Sequence, residues 1–378
     1  MEIYYFDNAW QIFTAFSVLI AGFLIFTSQP FHSVSRKLSL LLYCWHTLFC
    51  LYYAYFALYN AADSSGYFRR SLRSEVAPAI GTPGVDFFTS VFSQFLGLSY
   101  IGTFLVFNII GAFGVLAILA AFRETTQEKS KKIRAISIII CFLPGINFWT
   151  AAIGKDAISM LGTGLICWAA IDIRKRWLMI LISALCYILV RPHVVPVVVL
   201  VLLFSMLISG KMSSARKILM VAVLAVPSIF AVQFAMSFIG LDATSQFDGV
   251  GAFIEYRQSV NMQNGSSVDI SSMILPVQMF YYAFMPLFIG AGGLMGLIAS
   301  IENAFLTVIV VMSIPHIIRK PPTIQPQVRL MYLLFALVLW VIFAMTTANT
   351  GLALRQKWMF MPMLLLFCIA YLPARRIR

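Results

Sequence analysis

Apolar residues along this chain neither alternate with polar ones nor recur only on one face of short segments. They come in runs of about 18 to 25, the length an α-helix needs to cross a hydrocarbon core of roughly 30 Å. Such runs predict spans at roughly 10–27, 38–60, 99–122, 134–152, 157–173, 177–192, 194–209, 218–240, 286–313, 330–348 and 358–372, about eleven in all. The expected fold is all-α, a polytopic transmembrane helical bundle forming a single integral membrane domain over 1–378. A transmembrane β-barrel is excluded, because its strands would alternate lipid-facing and lumen-facing residues.

Composition agrees with the pattern. The 378 residues are 61% hydrophobic and 11% charged, too little polar surface to cover a soluble globule of this size. The net charge of +13 would suggest a nucleic-acid partner if the basic residues formed one face or tail. Instead they sit in short clusters between apolar runs: Arg36 and Lys37, Arg123 to Arg134, Arg174 to Arg176, Lys211 to Lys217, Arg319 to Arg329, and Arg375 to Arg378. With loops assigned alternately, these clusters share one side and most acidic residues take the other. By the positive-inside rule the N-terminus is then outside and the C-terminus cytoplasmic. The charge reports orientation and implies no nucleic acid. Glu2 and Asp7 before the first run are the wrong flank for a cleavable signal, so that run is expected to stay as a span.

Two outer segments, about 61–98 and 241–285, are too long to be turns. In the first, Asp63 to Arg70 is polar, Pro78 to Gly84 breaks the chain, and Val85 to Leu98 has the helical spacing of an interfacial helix. In the second, Asn264 to Ser267 predicts a turn and Val277 to Met285 another interfacial or re-entrant helix. All six cysteines fall within expected spans, so neither a disulfide framework nor a CxxC metal site is indicated.

Ionisable groups pressed against apolar sequence are costly in a membrane and persist where they have a partner or a wet cavity. Nearly all lie at outer span ends. Lys155 and Asp156 follow Phe148-Trp149-Thr150 at a tight turn, Arg191 and His193 stand between two spans, Arg355 and Lys357 precede the last span, and Glu302 lies within one. Each has a structural alternative. Lys155 and Asp156 would neutralise each other and cap a helix, Arg191 and Lys357 would reach lipid headgroups, Glu302 would pack against a buried cation, and His193 would be a structural hydrogen-bonder. As a set, cations at three outer turns suit a phosphate or pyrophosphate whose lipid tail stays in the bilayer. Arg191, Arg355 and Lys155 are the candidate anion binders, and Asp63, Glu302 and Asp156 the available carboxylates, Asp63 favoured as general base because it leads an outer loop followed by Tyr67 and Arg69. Tyr67, Trp149 and Tyr282 are candidate sugar-stacking rings.

Other motifs fall away. Ile289 to Gly296 is Gly-rich but lacks the Lys-Ser/Thr of a phosphate-binding loop, and its Gly292 and Gly296 fit a small-xxx-small helix contact. No HExxH, serine elbow or Cys/His cluster is present; His32, His46, His193 and His316 are scattered. No cofactor is called for, although a divalent metal remains compatible with phosphate chemistry.

The stretches Leu143 to Thr150 with Lys155-Asp156, Ser300-Ile301-Glu302-Asn303, and Gly351 to Lys357 resemble bacterial polysaccharide-assembly membrane proteins. These are the Wzy-type O-antigen and exopolysaccharide polymerases and, more broadly, GT-C glycosyltransferases. The resemblance implies transfer of a sugar or oligosaccharide from a polyprenyl (pyro)phosphate to an acceptor hydroxyl, on the outer face of the inner membrane and beside other polysaccharide-assembly proteins. Asp63 matches by position and type the acid that opens the first large outer loop of GT-C enzymes, and Arg70 with Gly81 fits an Arg–Gly spacing of Wzy-type loops. The competing expectations are a lipid-linked glycan flippase, in which the charges would line a path, and a non-catalytic scaffold.

Overall fold

A computed structural model of the protein describes residues 3–60, 62–73, 76–208, 249–262, 267–270, 272–288, 292–319 and 322–374, with scattered positions between 213 and 237. Among them the regular structure is helical, and strand-like pairing is limited to two isolated bridges, Lys129 with Ala374 and Ser267 with Asn349. The chain forms two compact units, Met1–Glu124 with Arg134–Pro192 and Thr125–Ile133 with His193–Arg378.

In the first unit α1 (Ala9–Thr27) and α2 (Arg36–Tyr59) start at Asn8 and Ser35, whose side chains accept from the Gln11 and Leu38 amides. The polar stretch after α2 is itself a helix, α3 (Asp63–Ser71). Asp63 occupies its first turn and Arg69 and Arg70 its last, the order that the helix dipole favours. The expected interfacial helix is α4 (Thr82–Ser90), which runs on as a π-helical turn over Val91–Phe95. Next comes α5 (Tyr100–Thr125), buried continuously from Val115 to Phe122.

The span expected over 134–152 is in two pieces, α6 (Lys131–Cys141) and α7 (Pro144–Thr150). Pro144 has no amide to continue the ladder. Side chains take up the carbonyls freed at the break: Asn147 Nδ2 donates to Cys141 O at 3.0 Å and Leu143 O at 2.8 Å, and Trp45 Nε1 donates to Phe142 O at 3.0 Å. Then α8 (Lys155–Ala169) and α9 (Ile173–Val190) pack antiparallel, tied by Ser183 to the Gly162 carbonyl at 2.7 Å and by the Thr163 and Tyr187 hydroxyls at 2.8 Å. Helix α5 meets α7 and α8 at glycines. A Cβ on Gly111 would strike the Thr150 carbonyl, and one on Gly164 would strike the Gly114 carbonyl, so backbones approach as closely as small residues permit in a membrane.

The second unit contains α10 (Val195–Leu207), α11 (Val250–Asn261), α12 (Leu275–Phe284), α13 (Gly293–Arg319), α14 (Pro326–Thr346), α15 (Thr350–Gln356) and α16 (Met361–Tyr371). Helix α14 packs against α10, α11, α12 and α16. Helix α16 is buried along its whole length, and Lys129 closes its end by donating to the Ala370 and Leu372 carbonyls at 2.8 and 2.5 Å, two of the acceptors a helix C-terminus leaves open. Helices α15 and α16 are bent by 58° at the break between them.

Six helices among the described residues are long and apolar enough to cross a membrane, or seven if the bent pair α15–α16 counts as one span, which makes this a multi-pass membrane protein. The six are α1, α2, the α6–α7 pair, α5, α13 and α14. The spans expected at 157–173, 177–192 and 194–209 correspond to α8, α9 and α10, which fall short in length or carry Arg174, Lys175 and Arg176 within them. Most of the span expected at 218–240, the Asn264 turn and the Gly290 to Ala291 part of the glycine run lie outside the described residues.

Candidate functional site

Alternating helix direction gives the first unit two ends of opposite chemistry. At one, Arg123 donates to Ser33 O at 3.4 Å, Arg176 pairs with Glu124 at 3.0 Å and lies 3.9 Å over the Trp168 ring, and Trp168 Nε1 donates to Glu124 Oε1 at 2.8 Å. Arg36, Lys37, Arg174 and Lys175 begin helices at this end. This is the basic end.

The other end is where most of the sequence candidates of this unit meet. Here the C-terminus of α9 supports the loop before α4. Gly81, at a φ of 76° that favours glycine, donates its amide to Leu189 O at 2.7 Å, and a Cβ on Gly84 would sit 2.7 Å from the same carbonyl. Two residues on, Arg191 is 8% exposed and turns back to α8. Its Nη2 donates to Asp156 Oδ1 at 2.9 Å and its Nε to Ser159 Oγ at 3.2 Å. Asp156 is the second residue of α8, where the positive end of the helix dipole also favours a carboxylate, and it too is 8% exposed. Asp156 thus forms a buried pair with Arg191. Lys155 is half-buried beside it.

Helix α3 packs over the turn into α8. A Cβ on Gly154 would lie 3.6 Å from the Tyr67 ring, so the close contact uses the absence of a side chain there. Asp63 is four residues before Tyr67, hence on the same face of α3, and is exposed at the rim where Tyr67 is buried. Arg70 locks α3 to α4 through Asp86 at 2.9 Å and covers the Tyr67 ring at 4.9 Å, while Arg69 folds back on Ser65. Trp149 is half-buried, packed against Phe148 and Tyr53 at 5.0 and 6.1 Å.

Glu302, Arg355, His193 and Tyr282 belong to the second unit. Glu302, 4% exposed in α13, faces the fully buried Lys357 at 3.9 Å, and Lys357 also donates to Asn303, which in turn donates to Pro286 O at 3.2 Å. This is the packing acid with a buried cation that the sequence offered as one alternative. Tyr282 is buried on Phe360 with centroids 6.0 Å apart, and its hydroxyl donates to Gln356 at 3.4 Å. Neither the Tyr67 nor the Tyr282 ring has a face open to a sugar in this conformation. Arg355 is half-buried in the last turn of α15, and His193 is half-buried in the turn that leads into α10. Among the described residues no group of three or more His, Cys, Asp or Glu could hold a metal.

Sequence reading missed Ser159, Asp86 and Asn303. Ser159 carried a usable signal, since three residues from Asp156 it shares the same helix face; Asn303 stood beside Glu302 in a stretch that carries the resemblance but was given no role, and Asp86 carried no signal. A multi-pass helical membrane protein with a polar, charge-paired end is the class that fold and site define. Comparisons with known protein families, curated proteins and solved structures found no match.

Proposed function

We propose that the chain is a polyprenyl-(pyro)phosphate-linked sugar or oligosaccharide transferase or polymerase. It would act in cell-surface polysaccharide assembly at the outer face of a bacterial inner membrane, in an eleven-span arrangement with the N-terminus outside and the C-terminus cytoplasmic. One observation carries the reading: residues from three distant stretches, Asp63 and Tyr67, Lys155 and Asp156, and Arg191, lie at one end of one helical unit, opposite its basic end. By the positive-inside rule that end is the outer one.

In this reading Lys155 and Arg191 hold the donor phosphate. Asp156 and Ser159 take Nη2 and Nε of Arg191, fixing its plane, and Nη1 makes no protein hydrogen bond among the described residues. Asp63 takes the proton from the acceptor hydroxyl, whose oxygen forms a bond to the anomeric carbon. The bond from that carbon to the phosphate oxygen breaks, and its electron pair leaves with the (pyro)phosphate, stabilised by the two cations. Arg355 remains an anion-binding candidate of the second unit, and membrane lipid and other assembly proteins are the partners. The test is full-length protein in proteoliposomes with a labelled polyprenyl-phosphate sugar and an acceptor glycan. Asp63→Asn should lower turnover by about 10²–10⁴-fold at equal protein level. Unchanged turnover would remove Asp63 from the mechanism, and no turnover by the wild type would remove the function.

A second reading, a lipid-linked glycan flippase, draws on the buried Glu302–Lys357 pair within a candidate span. Movement of the labelled lipid between leaflets without change in glycan length would favour it.

A further inference from the structure

Sequence alone dismissed His46 as one scattered histidine, yet it is fully buried at the centre of a polar node that joins three helices of the first unit. Its Nδ1 lies 2.6 Å from Asn108 Oδ1 on α5, and its Nε2 lies 3.0 Å from Thr150 Oγ1, the last residue of α7. Asn108 Nδ2 donates to Thr47 Oγ1 at 2.8 Å, which leaves Oδ1 as the acceptor, so Nδ1 carries a proton. The adjacent residue on α2, Trp45, donates to Phe142 O just before α7 begins. Two neighbours on one helix therefore grip α7 at both ends.

We propose that Trp45 and His46 are positioning residues for the Lys155–Asp156 turn, clamping α7 as a strut whose far end sets that turn. Pro144 severs α7 from α6, so no continuous helical ladder holds it, and side chains replace the ladder. Residues 151–154 then join Thr150 to Lys155 directly. The same turn is packed from α3 by Tyr67, and its Ala151, Ala152 and Ile153 are buried in one core with Tyr53, Tyr67 and Val190. On the transferase reading, on which the kinetic part of this proposal rests, displacement of Lys155 by about 1 Å loosens its hold on the donor phosphate and so weakens donor binding.

The experiment uses the full chain in nanodiscs and compares His46→Leu, Trp45→Phe and His46→Gln, the last keeping an amide able to pair with Thr150. Amide hydrogen exchange over 150–156 is read by mass spectrometry. In His46→Leu it should rise about tenfold with α8 beyond residue 160 unchanged, and His46→Gln should recover most of the protection. Trp45→Phe should raise exchange over 143–147 instead. In the labelled-lipid assay, His46→Leu should raise KM for the lipid-linked donor more than it lowers kcat. Unchanged exchange over 150–156, or an equal rise throughout the unit, overturns the clamp. If the wild type shows no turnover, the transferase reading fails while the exchange result still decides the positioning.

Discussion

Replacing Asp156 by Ala strands the Arg191 guanidinium in a site where the paired side chains are only 9% and 10% exposed. Removing one partner of a buried ion pair costs about 3–5 kcal/mol, and losing a carboxylate from the first turn of α8 adds about 0.3–1 kcal/mol. Because this end of the unit is polar, the low end applies, about 3 kcal/mol. For a domain of about 150–250 residues each kcal/mol shifts Tm by about 2–4 °C, so the drop should be about 6–12 °C. Arg191→Leu should cost a similar amount for the mirror reason. The double variant should cost much less than the two together, because no unpaired charge remains, giving a coupling of about 2 kcal/mol or more. Thermal unfolding of the four proteins in nanodiscs completes the cycle. Losses that add to within about 0.5 kcal/mol would refute the buried pair as described. The cycle also separates stability from chemistry: if Arg191 holds the donor phosphate, the double variant regains stability but not turnover.

Two further outcomes follow from packing and charge. Gly164→Leu would force the Gly114 backbone aside, and overpacking of a helix crossing of this kind costs about 1–3 kcal/mol or more, so the level of folded protein in membranes should fall well below that of Ala157→Gly, which removes volume without a clash. Glu302→Ala should cost about 3–5 kcal/mol by stranding Lys357, whereas Glu302→Leu combined with Lys357→Met should be near neutral in thermal unfolding and, if Glu302 lies outside the chemistry, near wild type in turnover.

Hydropathy alone located α1, α2, α5, α13 and α14, because a long apolar run in a membrane has one economical solution, a helix that satisfies its own backbone. Charge bias alone separated the clusters around Arg36, Arg123 and Arg174 from Asp63, Asp156 and Arg191, and the first unit keeps them at opposite ends. The sequence offered Asp156 and Arg191 as candidates but left their pairing open, since 35 residues separate them and only the antiparallel packing of α8 on α9 brings them within 2.9 Å. It took Asp63 to Arg70 for part of an outer loop because that stretch is polar on average, while the helix there is held by Tyr67 and Phe68 buried against the core. The span read over 134–152 stands as Lys131–Thr150, but the break inside it at Pro144 was not legible, because Asn147 and Trp45, the donors that make it tolerable, are recognisable only in place. The single histidine His46 is the clearest instance: one residue in a run of apolar sequence carries no pattern, and its meaning arises only when α2, α5 and α7 pack and leave Asn108 and Thr150 within hydrogen-bonding reach. Periodicity and charge act locally and are written along the chain; pairing between distant polar groups depends on which helices touch, and tertiary packing alone decides that.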